Sequence, residues 1–90
     1  MFILICYDIE DDKRRTRIRK TLRSYGEAVQ ESVFEAQLDD KQFHRLYARL
    51  ASLLEREDNI RCYLLCESCV RRIQATHTVP KAKATKVHLF

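Results

Sequence analysis

The 90-residue chain has one glycine, one proline and no apolar run that approaches the length of a membrane helix. Each scarcity removes a class of protein. So little glycine and proline excludes collagen-like and low-complexity chains. With 46% hydrophobic and 33% charged residues, the composition is that of a folded domain and not of a disordered segment. A membrane span needs about 18 consecutive apolar residues. The apolar start, Met1 to Ile5, is far shorter and lacks the basic flank of a secretion signal. It reads as a strand, and the chain is expected to be soluble and cytoplasmic. One domain of this size buries only about 60–65% of its unfolded surface, so a partner subunit would help it.

Acidic groups are also missing from two places. Residues 11–25 carry seven basic side chains against two acidic ones, and residues 71–90 carry five basic side chains and no acid. The middle of the chain, residues 26–70, is net acidic. A concentrated basic stripe is the footprint of a polyanion partner, most often nucleic acid. The plainer alternative is a solvated helix face.

Cysteines are Cys6, Cys62, Cys66 and Cys69, with one CxxC, Cys66-Glu-Ser-Cys69. A structural zinc site uses two such pairs or a CxxC with paired histidines, and His77 and His88 are not so spaced. A redox pair is the other chemical reading, because Cys66 follows a strand. Cys6 and Cys62 sit among apolar residues and read as core. Structural thiols are the favoured reading of the set, ahead of a weak metal site and a redox pair.

Residues 1–8 are apolar on both faces, as in a central strand, with Phe2, Leu4 and Cys6 on one face and Met1, Ile3, Ile5 and Tyr7 on the other. Asp11 or Asp12 caps a helix to about Tyr25, with Ile18, Leu22 and Tyr25 inward. Gly26 falls where a left-handed helix stop is expected. Alternation then predicts strands at 27–31 and 32–38. Asp39-Asp40 cap a second helix to about Arg56, and 60–66 form a strand followed by a turn at 67–72. The order β-α-β-β-α-β is the ferredoxin-like α+β plan, with both helices on one face. A second copy is the simplest cover for the other face. The domain is taken as 1–76. Residues 77–90 form a C-terminal extension, an additional strand or tail that packs on the dimer or a partner. Fold alone decides nothing about activity.

Several motifs in order carry a resemblance. Tyr7-Asp8-Ile9 closes the first strand and Asp11-Asp12-Lys13-Arg14-Arg15 opens the helix. Gly26, Gln30-Glu31-Ser32-Val33-Phe34-Glu35 and Leu65-Cys66-Glu67-Ser68-Cys69 follow. Over roughly residues 1–75 the chain resembles the CRISPR-associated protein 2 family. The resemblance implies a homodimer made by sheet stacking. It implies a metal-dependent endonuclease, on single-stranded RNA or duplex DNA, active in CRISPR adaptation and antiviral defence. It also implies a second role, a non-catalytic scaffold that binds duplex DNA and bridges integrase subunits. The metal ligand it implies is Asp8, with Tyr7, the helix arginines, Ser32 and Phe34 around it, and Mg²⁺ or Mn²⁺ as the ion. Ala28 stands where some members have a basic residue. A toxin-type ribonuclease of the same fold is a further alternative.

Chemistry gives each residue two readings. Asp8 at a strand end is a turn residue or a ligand. Two copies of it about 5 Å apart across a dimer axis would repel by roughly 3 kcal/mol at an effective dielectric of about 20. A proton or a divalent cation relieves that repulsion, and Mg²⁺ needs only one or two carboxylates. Glu10 and Asp12 are near enough for an outer role. Arg14, Arg15, Arg17, Arg19 and Arg23 suit bidentate phosphate contacts and predict salt-sensitive, sequence-independent binding. Arg71 and Arg72 are a second phosphate candidate, and the Pro80–Phe90 tail a docking segment for the integrase subunit.

Overall fold

The structure is a computed structural model that describes residues 1–76. The C-terminal extension, with its expected strand and docking role, lies outside the described residues. The elements are β1 (Phe2–Asp8), α1 (Asp12–Arg23), β2 (Gly26–Gln30), β3 (Val33–Gln37), α2 (Asp40–Leu53), β4 (Asn59–Leu65) and the single-turn α3 (Glu67–Val70). The four strands form one antiparallel sheet in the order β2-β3-β1-β4. This is the expected ferredoxin-like fold.

Local chemistry fixes the helix starts. Asp11 caps α1 by accepting from the Arg14 amide at 2.9 Å. Asp39 and Gln42 form a reciprocal capping box at α2, at 2.8 and 2.9 Å. Helix α2 ends earlier than the sequence predicts. Leu54 is extended, and Asp58 draws the following turn together by accepting from the Glu55 amide at 2.9 Å.

Two expectations need correction. Gly26 is not a left-handed helix stop, since no glycine has positive φ. It opens β2, where the backbone of β3 comes so close that a Cβ would stand 2.3 Å from the Glu35 carbonyl oxygen. The segment after β4 is not only a turn. Its residues form α3, with the Val70 amide on the Cys66 carbonyl and the Arg71 amide on that of Glu67, each at 3.0 Å.

Both long helices cover one face of the sheet. Ile3, Ile5, Tyr7, Phe34 and Ala36 meet Ile18 and Leu22 of α1 and Leu46 and Leu50 of α2 in the core. Pairing register sets what lies on the other face. Leu4, Cys6 and Asp8 stand beside Tyr63, Arg61 and Asn59 of β4, and Leu4 and Cys6 face Glu35 and Val33 of β3. Neither long helix covers this second face.

Candidate functional site

Asp8 ends β1 and pairs with Asn59. Adjacent strand residues point to opposite faces, so Tyr7 turns inward and Asp8 outward onto the open face. Tyr7 is 5% exposed. Its ring packs on Phe34, with centroids 6.3 Å apart. Its hydroxyl donates to the Glu31 carbonyl at 3.0 Å and accepts a long contact, 3.4 Å, from Arg19 Nε. The Tyr7 amide also donates to the Ser32 carbonyl at 3.1 Å. Tyr7 therefore ties the end of β1 to the β2–β3 turn. Its hydroxyl is committed to that task, which is positional.

Asp8 is exposed, and among the described residues it enters no ion pair. The loop after it is held firmly. Ile9 is buried, and the Arg15 guanidinium donates to the carbonyls of Ile9 and Glu10 at 3.0 and 3.1 Å while pairing with Asp12. A free carboxylate thus sits on a fixed backbone.

The arginines of α1 separate into two kinds. Arg14 spans from α1 to the segment before β4, bonding Asp58 at 2.7 and 3.2 Å and Glu57 at 2.9 Å. The Asp58 side chain is 1% exposed. The Arg14 hydrogen bond, then the Glu55 amide, hold its carboxyl below the usual range. Arg14 and Arg15, both expected at a phosphate interface, are fastened within the chain. Arg17 and Arg23 are exposed. Arg19, half-buried against Tyr7, joins Arg23 in lining a groove of about 350 Å³ with Ala28, Gln30, Glu31 and Phe34. Phe34 is 1% exposed, so it forms the floor and has no open ring face on which a base could stack. Ser32 is half-buried in the β2–β3 turn.

One basic row escaped the sequence reading. Lys41, Arg45 and Arg49, spaced by four on α2, are all exposed. Arg49 and Lys20 line a second groove of about 360 Å³ between the helices. Counting charge over residues 26–70 hid this row, whereas a search at helical spacing would have found it. Of the second phosphate candidate, Arg71 pairs with Glu67 at 2.7 Å and Arg72 is exposed.

No group of three or more His, Cys, Asp or Glu side chains is placed to hold a metal among the described residues. One chain offers one unpaired carboxylate at the end of β1. That donor set does not make a closed site, and it suits a hard, largely hydrated cation only when doubled. No helix among the described residues is long and apolar enough to cross a membrane.

The fold and this surface define a ferredoxin-like domain with an arginine-bearing helix beside an exposed strand-end carboxylate. Residues 1–73 match the family model described as CRISPR associated protein Cas2. The chain is 48% identical over 73 residues to the CRISPR-associated endoribonuclease Cas2 3 of Chloroflexus aurantiacus, covering 80% of this chain and 78% of that one. It superposes on the crystal structure of Streptococcus pyogenes Cas2 with a TM-score of 0.75 at 31% identity, over 86% of this chain and 100% of that one. A chain of a partial Cas6-RT-Cas1–Cas2 complex is similar with a TM-score of 0.72 at 29% identity, over 87% of this chain and 89% of that one. The chain belongs to the Cas2 family.

Proposed function

We propose that this chain is a metal-dependent endonuclease of CRISPR adaptation, cleaving single-stranded RNA or duplex DNA as a homodimer whose two Asp8 carboxylates share one centre. The observation that carries the reading is the free Asp8 carboxylate on a face that neither long helix of the described residues covers, backed by the Arg15-held loop. The endoribonuclease name of the Chloroflexus relative supports the reaction class. Two such carboxylates would hold Mg²⁺ with water completing its shell, and that ion supplies a water of lowered pKa for phosphodiester hydrolysis. This chain's residues do the rest. Arg15 fixes the loop behind Asp8, and Tyr7 holds the strand end against the β2–β3 turn. Arg17, Arg19 and Arg23 bind the phosphate backbone without reading sequence.

Labelled RNA and duplex DNA incubated with Mg²⁺ or Mn²⁺ test the proposal. Cleavage should fall at least about a hundredfold in Asp8→Asn and stop with EDTA. Undiminished cleavage by Asp8→Asn would remove Asp8 from the reaction. Replacing Arg17 and Arg23 by Ala should weaken binding and make the slope of log K on log salt about two units shallower on duplex DNA. An unchanged slope would mean that these arginines only solvate the helix.

A second reading is favoured by the lack, among the described residues, of any group of three or more His, Cys, Asp or Glu placed to hold a metal, and by the similarity to a chain solved in a complex with Cas1. In it the dimer is a non-catalytic scaffold that binds duplex DNA and bridges integrase subunits. Asp8→Asn would then leave spacer acquisition intact.

A further inference from the structure

Cys66 and Cys69 play no part in the site around Asp8. Cys66 follows the last residue of β4 and caps α3, and Cys69 lies within that turn. Both are exposed. Cys6 and Cys62 are only partly exposed. The Sγ atoms of Cys66 and Cys69 are 3.5 Å apart, and the Ser68 hydroxyl is 3.2 Å from Cys66 Sγ. A disulfide needs a separation of about 2.05 Å, so closure asks for a shift of about 1.5 Å between two exposed side chains. The metal reading fails for want of donors, since among the described residues no third His, Cys, Asp or Glu joins the pair.

We propose that Cys66 and Cys69 form a thiol–disulfide exchange site that takes up oxidising equivalents from low-molecular-weight disulfides of the glutathione class. The two thiols are unequal in the way such a site requires. Hydrogen bonds from the Ser68 hydroxyl and from Cys69 bring the Cys66 thiol down to about 7, while the neighbouring Cys66 pushes Cys69 up. Cys66 is therefore the attacking group and Cys69 the resolving one. The Cys66 thiolate attacks one sulfur of the disulfide R–S–S–R. The S–S bond breaks, and R–S⁻ leaves and takes up a proton. Cys69 then loses its proton and attacks Cys66 Sγ, expelling the second R–S⁻, which is protonated in turn. The protein gives up two electrons and two protons, and R–S–S–R becomes two R–SH.

The full chain, reduced and then equilibrated with mixtures of oxidised and reduced glutathione, is alkylated and its mass read. The expected result is loss of two hydrogens with joint protection of Cys66 and Cys69, two thiols remaining alkylated. In Cys69→Ser, Cys66 should accumulate a single glutathione adduct. Near neutral pH Cys66 should alkylate roughly fivefold or more faster than Cys69. Glutathione adducts without ring closure in the parent chain would overturn the proposal, as would disulfides between chains or protection of Cys66 and Cys69 by Zn²⁺ against oxidation. The substituted position is exposed, and the parent chain gives the decisive reading by itself.

Discussion

On the helix-covered face of the sheet, Ile3 and Ile5 are fully buried and Phe34 is 1% exposed, whereas on the opposite face Tyr63 is 44% exposed and Leu4, Cys6, Val33 and Glu35 are half-buried. The covered face packs its central residues against the two long helices within one chain, leaving Leu64 exposed at its edge. The open face mixes apolar residues with Glu35 and Arg61, and neither long helix closes it. It also carries Asp8, the one free carboxylate at the proposed centre. Damage on the covered face should therefore be read as lost stability, and damage on the open face as lost association.

Phe34→Ala should produce the largest effect, costing about 3–5 kcal/mol through the cavity it leaves beside Tyr7. Denaturant unfolding checks this. A fully stable Phe34→Ala chain with weakened nucleic-acid binding would instead make Phe34 a contact residue. Gly26→Ala comes next, at about 1–3 kcal/mol, because the added Cβ meets backbone and not a flexible side chain. Tyr63→Glu should leave monomer stability nearly unchanged and weaken self-association at least about tenfold, read by sedimentation. If it destabilised the monomer as Phe34→Ala does, the contrast between the two faces would be lost.

The smallest effect is a pH dependence of opposite sign at two carboxyls. Burial pushes Glu35 upward on the open face, where Glu27 stands directly across from it. Between its unfolded and folded values the native chain binds more protons, so stability falls as pH rises through that window. Asp58 is lowered by Arg14, so its contribution is present above its unfolded value and lost as pH falls through the folded one. Glu35→Gln should flatten the first trend and Asp58→Asn the second. Thermal midpoints across the acid range measure both.

The fold was legible because its signals are local. Apolar character on both faces marked β1, the acidic pairs Asp11-Asp12 and Asp39-Asp40 marked the helix starts, and the alternation around Phe34 marked β3. The site was legible only in part. Asp58, which claims Arg14, lies 44 positions away in sequence, so nothing near Arg14 distinguishes it from Arg17. Gly26 sits just beyond a helix, where a stop is common, and only the approach of β3 reveals its use. Phe34 and Tyr7 belonged to a motif, and burial shows them supporting its surface from beneath.

The most direct test of the shared centre keeps Asp8 intact and separates the copies. Sedimentation mass and RNA cleavage should be measured together on Tyr63→Glu across a concentration series. The account predicts folded monomers without cleavage at low concentration, with activity returning only as dimers form. A folded monomer that cleaves as fast as the parent would contradict it.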